Sequence, residues 1–275
     1  MWIFNSIVGK IFDIVFWPFR NLSPWPAMIV ISFLAGLLLL FVFRHTSNQE
    51  GIRTTKNKIK AHLLEFRLYK DSLSQPFKSL GRILLANFKY IGYALKPMLV
   101  MFIPLLLILI QLNLWFGSQP LVIGQAVLLK IKLTEGANPR QTDIQLEAPQ
   151  GIAVETPALR IEDEREIDWR LGAKDQGLYT LKFRWNNEPF TKSVIVGQSR
   201  LAKIAGIKPG RSFWDQVFNP GEEPVPKNMP VKSVEITYPA RRMNLFGWRL
   251  HWLVSFFVLS IVFGFAFKGV FKVEI

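Results

Sequence analysis

Lys96 to Phe116 reads KPMLVMFIPLLLILIQLNLWF, and between Pro97 and Trp115 only Gln111 and Asn113 interrupt an uncharged apolar run. At about 1.5 Å of rise per residue, this run covers about 28 Å of a hydrocarbon core about 30 Å thick. A soluble domain rarely buries so long an apolar helix, so the segment reads as a membrane span. Pro104 removes a backbone donor in its middle and frees the carbonyl of Val100, which predicts a bend. Pro97, Pro104 and Gln111 recur every seven residues and so share one face. One reading turns that face toward protein or water; the other leaves an ordinary kinked span with Gln111 and Asn113 near the outer interface.

Upstream, residues 27–44 form a first span, AMIVISFLAGLLLLFVF closed by Arg44. Ser32 and Gly36, one turn apart, let another helix come close. Between Arg44 and Lys96, eleven Lys/Arg stand against three acids, Glu50, Glu65 and Asp71. The positive-inside rule therefore assigns residues 46–95 to the cytoplasm and the amino terminus to the outside. Ile52, Ile59, Leu63, Phe66 and Leu68 recur at helical spacing, as do Phe77, Leu80, Leu84, Phe88 and Ile91. With a turn at residues 71–76 and Ser74 as a cap, the segment predicts a basic helical hairpin. Its candidate surface cations are Arg53, Lys56, Lys58, Lys60, Arg67, Lys70, Lys78 and Arg82. They make either a solvated structural face or a surface for anionic lipid or ribosomal RNA.

Residues 1–22 lack the basic start, long apolar core and cleavage site of a signal peptide. Asn5, Gly9 and Asp13 mark a polar stripe among Trp, Phe and Ile, which predicts an amphipathic helix in the membrane interface, with a poor span as the alternative. It stops at Pro18 and the Ser-Pro-Trp-Pro turn ending at Pro26.

Downstream, residues 119–240 read as an extracytoplasmic domain. Segments at 121–133, 143–146, 161–171, 177–185 and 190–196 alternate between turn clusters, predicting an antiparallel β-sandwich of immunoglobulin-like type inserted between spans two and three. The acids of residues 162–166 read as a solvated strand edge rather than a metal site. Residues 213–218 predict a short helix and 231–238 a further strand. Residues 250–267 form the third span, with Ser255, Ser260 and Gly264 its small or polar positions, and residues 268–275 a cytoplasmic tail. The fold class is thus an α-helical membrane protein with three transmembrane helices, an interfacial helix, a cytoplasmic hairpin and an outer β-domain.

The chain has no cysteine, which excludes disulfides, thiolate metal sites and Cys nucleophiles. His45, His62 and His251 are scattered through the sequence and read as interfacial or surface residues. No nucleophile–base pair or phosphate loop stands out, so neither an enzyme nor a cofactor is expected. An ion channel is disfavoured because no span carries an acidic or filter pattern.

The order of elements, and the text Leu95-Lys-Pro-Met-Leu-Val-Met-Phe-Ile-Pro104-Leu-Leu-Leu, resembles the YidC/Oxa superfamily of membrane-protein insertases. The likeness is greatest to its small three-span members, the archaeal YidC-like proteins and the insertase subunit of the ER membrane complex. It covers residues 1–116 and, by topology, 250–275. The resemblance implies a groove between three spans that eases polar segments of clients across the bilayer, with Ser32, Gly36, Pro104, Gln111, Ser255 and Ser260 as its candidates. Implied partners are membrane lipids, hydrophobic client polypeptides and a ribosome or membrane-complex subunits at the hairpin. The β-domain adds room for an extracytoplasmic protein partner, and no DNA is expected. Two features depart from bacterial members: the first span has no mid-span Arg, and the β-domain stands where they carry a helical hairpin. The alternative function is a membrane-anchored assembly or scaffold protein whose β-domain binds an envelope partner. The expected location is a prokaryotic plasma (inner) membrane.

Overall fold

The computed structural model describes residues 2–68, 74–186, 188–197, 201–245 and 247–274. The chain forms two compact units, a helical one of Ile29–Ile108 with Leu253–Ile275 and a sheet-built one of Met1–Met28 with Leu109–Trp252. The helices are α1 (Trp2–Phe16), α2 (Pro24–Thr46), α3 (Gln49–Leu68), α4 (Ser74–Leu112), α5 (Phe213–Phe218) and α6 (Trp252–Phe267).

Among the described residues, three helical stretches are long and apolar enough to cross a membrane: Trp2–Phe19, Pro24–Thr46 and Leu80–Gly117. The first of these is the stretch expected to lie in the interface. The expected third span, 250–267, is a shorter helix of 16 residues, about 24 Å. It starts at Trp252 because Trp248–His251 is committed to a strand.

The helix α2 starts with Pro24 and Pro26 in its first turn, where missing N–H groups cost no helical bond. It ends with Arg44 and His45 beside its exposed carbonyls. Asn48 then caps α3, its Oδ1 accepting the Gly51 N–H at 2.8 Å. The hairpin and the central span were expected as separate elements meeting at residue 95. The second arm of the hairpin and the span are instead one helix, α4, of 39 residues running through Pro97 and Pro104. In an apolar medium the remaining backbone bonds have no water to exchange with, so a proline there does not end a helix. Residues 69–73, which hold the first half of the expected turn, lie outside the described residues. Ser74, expected as a cap, is the first residue of α4. Past α6 the tail folds back, the Glu274 N–H donating to Gln49 Oε1 at 2.7 Å.

In the sheet unit the last turn after α4 widens into a π turn, Asn113–Gly117. The strands follow as β1 (Ala126–Leu133), β2 (Gln145–Glu147), β3 (Ile152–Val154), β4 (Leu159–Ile161), β5 (Glu166–Ala173), β6 (Gly177–Trp185) and β7 (Glu188–Val196). Then come β8 (Ile207–Lys208), β9 (Val231–Ile236), β10 (Arg242–Leu245) and β11 (Trp248–His251). One sheet has the order β3-β5-β1-β9-β8, with β4 also on β5; another has the order β2-β6-β7; β10 and β11 pair alone. All these pairings are antiparallel. Alternate residues of β1 point inward: Val127, Leu129, Ile131 and Leu133 are buried. They share one core with Trp169 and Leu171 of β5 and with Leu181, Phe183, Phe190 and Val194 of the second sheet. Residues 162–165 turn between β4 and β5, with Arg165 at φ 54°. They are a corner, not the strand edge expected.

Candidate functional site

Along α4, Leu80, Leu84, Phe88, Ile91, Leu95, Met98 and Phe102 are all exposed. Steps of three and four residues place them in one stripe, about 33 Å long. The stretch from Leu80 to Gly117 has 38 residues, about 57 Å, so roughly half of it exceeds a 30 Å hydrocarbon core. The stripe therefore runs from the apolar part of the helix into the basic part that holds Arg82, Lys89 and Lys96.

The small residues of the candidate groove have a packing role in this unit. A Cβ added at Gly36 would lie 2.9 Å from the Ser260 carbonyl oxygen and 3.4 Å from Phe263 Cβ. The backbone of α2 thus meets α6 at van der Waals distance, as small residues permit. Phe33 seals the contact, its ring 5.4 Å from those of Phe263 and Phe267. Ser32, Ser255 and Ser260 are buried, and their hydroxyls have no hydrogen-bond partner among the described residues. Pro104 is half-buried. Gln111 belongs to the sheet unit, apart from the other five; it is buried, with its amide oxygen unpaired among the described residues.

Of the hairpin cations, Arg53, Lys58, Lys60 and Arg82 are exposed, while Lys56 is half-buried with its Nζ 3.7 Å from Glu274. Lys70 lies outside the described residues, as do the side chains of Arg67 and Lys78. A cleft of about 500 Å³ between α3 and α4 is walled by Lys58, His62, Arg82 and Lys89, with Glu50 at its edge. A second, of about 520 Å³, gathers Arg53, Lys56, Lys268 and Lys272 around Glu50 and Glu274. Both have the chemistry to hold phosphate or carboxylate groups.

In the sheet unit, α1 presents its polar stripe to protein. Asn5 Nδ2 donates to the Gln216 carbonyl at 2.7 Å, and Lys203 Nζ lies 3.0 Å from Asp13 Oδ1. Gly9 lets Lys203 approach, since a Cβ there would stand 3.3 Å from its Nζ. At the other end of α1, Phe16 is fully buried against Trp115 and Phe116, with ring centroids 4.8 and 5.6 Å apart. Arg20 lies over the Trp115 ring at 5.8 Å.

Two buried charge clusters were missed by sequence reasoning. Lys192 is wholly buried and donates to the Ala205 carbonyl and, at 3.1 Å, to Glu222 Oε1, which also accepts the Ser193 N–H. Burial holds the ammonium pKa of Lys192, and that of nearby Lys208, below the ordinary lysine range. The signal was present: Lys192 takes an inward register in β7 with Phe190, Val194 and Val196. On the other sheet, Lys130 reaches Glu166 at 2.9 Å and Asp168 at 4.0 Å, and Lys132 reaches Glu235 at 3.3 Å. Burial raises the Asp168 carboxyl above its usual range. Glu166, expected at a solvated edge, is buried inside this network.

Among the described residues, no three His, Cys, Asp or Glu gather as a metal ion requires. No family model matches the chain, and no curated protein does. A solved structure of domains 4 and 5 of the S-layer protein SbsC is similar over 30% of this chain and 48% of its own, at 13% identity. The chain thus spans about half of that structure. The TM-score is 0.24, too low for the likeness to bear on fold or function.

Proposed function

We propose that this chain is a membrane-protein insertase or insertion chaperone of YidC/Oxa type, working without covalent chemistry. In this reading α2, α4 and α6 are the three spans, α1 is an interface helix and the sheets form an immunoglobulin-like sandwich. The hairpin and tail lie in the cytoplasm of a prokaryotic cell, and the sheet unit lies outside its plasma (inner) membrane. Sidedness rests on the eleven Lys/Arg against three acids between Arg44 and Lys96.

The observation that carries the reading is the exposed stripe from Leu80 to Phe102. An apolar ridge standing partly outside the hydrocarbon is costly in water unless it is covered. A hydrophobic client helix matches it in length and chemistry and can pass along it from the basic hairpin toward Pro104 and Gln111. The amide oxygen of Gln111 is buried and without a partner among the described residues; once its cover opens, a client's polar tail meets it instead of bare lipid, which lowers a barrier of a few kcal/mol or more per charge. Ser32, Gly36, Ser255 and Ser260 serve this function by holding α2 against α6.

The test is photo-crosslinking in cells from probes at positions 88 and 111 while nascent membrane proteins are labelled. Crosslinks to short-lived, newly made chains at both positions are expected. Crosslinks to lipid alone, or to one stable partner, overturn the reading.

A further inference from the structure

The outward sides of α1 and α5 are apolar, although both helices sit on the sheet unit. On α1, Ile3, Ile7, Ile11 and Ile14 are exposed, Ile14 at 74%, as is Trp17 in the turn that extends it to Phe19. On α5, Phe213, Trp214 and Phe218 are exposed, Trp214 at 62%. The two helices are joined by the 2.7 Å bond from Asn5 to the carbonyl of Gln216, a residue of α5. The Asp13–Lys203 pair fixes α1 a second time to the same unit. Two segments about two hundred residues apart thus bring apolar sides out, while Asn5 and Asp13 of α1 bind protein groups.

We infer that α1 and α5 form one lipid-embedded foot that seats the sheet unit in the interfacial zone of the bilayer. Three observations choose lipid as the occupant. Phe16 packs on Trp115 and Phe116, so α1 ends level with the last turn of the Leu80–Gly117 stretch, where a span leaves the hydrocarbon. Only the residues between Phe19 and Pro24 separate α1 and its short extension from the apolar α2, which keeps the helix close to that boundary. The composition is interfacial, with Trp17 and Trp214 among aliphatic and Phe side chains and the exposed cations Lys10, Arg20 and Arg211 alongside. Crossing the bilayer is excluded for α1 by its own contacts, since it would draw Lys203 and the Gln216 backbone into hydrocarbon.

The inference rests on α2 and α4 crossing a bilayer and not on insertase activity. The chain has no cysteine, so one introduced thiol is a unique label site. The full chain carrying Ile14→Cys, Trp214→Cys, Phe218→Cys or the exposed control Lys227→Cys is spin-labelled and placed in phosphatidylcholine/phosphatidylglycerol vesicles. Collision with oxygen, which concentrates in lipid, is compared with collision with a water-soluble nickel chelate. Oxygen is expected to dominate at 14, 214 and 218, with an oxygen-to-nickel ratio several-fold above that at 227. Ratios at 214 and 218 equal to the control would place the foot in water and overturn the inference. Exclusion of both reagents there would reveal a protein cover, a second copy or another subunit, and overturn it equally. All four substitutions are at exposed positions, so folding is not at stake.

Discussion

Lys192, with no exposed side-chain surface, holds its Nζ 3.1 Å from Glu222 Oε1, and the same oxygen accepts the Ser193 N–H. The pair ties β7 to the loop that follows α5. Removing one partner leaves the other charge buried and alone, a loss of about 3–5 kcal/mol, whereas an apolar replacement of both is near neutral. Glu222→Ala is therefore expected to lower the unfolding midpoint of the purified protein sharply, and Lys192→Met/Glu222→Leu to restore most of it. Equal losses in the single and double variants would remove the pair from the account.

The same burial gives stability a pH dependence. Lys192 and Lys208 have folded-state pKa values below the ordinary 10.5, so between those values and 10.5 the unfolded chain binds more protons. Stability then rises with pH through that window. Tyr238, whose hydroxyl accepts the Ile195 N–H and is pushed above its usual range by burial, acts oppositely once the pH exceeds about 10. A denaturant titration at stepped pH should show a rise toward the alkaline side that ends near pH 10. Lys192→Met should flatten the rise.

Two glycines of the helical unit should respond in opposite directions. Gly36→Leu drives a side chain into the Ser260 carbonyl and is expected to cost about 1–3 kcal/mol or to separate α2 from α6. Gly264→Ala meets nothing within 4 Å and gains helix propensity, about 0.5–1 kcal/mol. Thermal midpoints in detergent check both, and a destabilised Gly264→Ala would mean that another chain covers that face.

Docking of α1 on the sheet unit can be measured by hydrogen exchange. The Asp13–Lys203 pair is partly exposed, so Asp13→Asn alone should change little, about 0–1 kcal/mol. Asn5→Leu removes a buried donor from the Gln216 carbonyl and costs about 1–3 kcal/mol. Residues 2–16 should exchange faster in the Asn5 variant than in the Asp13 variant.

The two long apolar helices and most of the strands were legible because their signals are local: an uncharged run of bilayer length, and alternation between turns. The continuity of α4 was not. A change from basic to apolar text at Lys96-Pro97 reads as a boundary, while the backbone bonds that carry the helix across it leave no mark in composition. The β10–β11 hairpin was lost because its strands have four residues each, and the second runs into the apolar text read as a span from residue 250. The polar stripe of α1 was visible at Asn5, Gly9 and Asp13, but what it faced depended on Lys203 and Gln216. Ser32, Gly36 and Ser260 were recognisable as small; that Gly36 touches a backbone carbonyl is a matter of distance.

The bond from Asn5 to Gln216 also has a timetable. The ribosome makes the donor first and the acceptor 211 positions later. At about 5–20 residues per second, the amino-terminal helix waits roughly 10–40 s for its partner. During that interval Asn5 and Asp13 have only water or lipid headgroups to bind. If α1 lies in the interfacial zone as inferred, the membrane surface is the first template on which this helix folds, and the sheet unit is completed afterward against it.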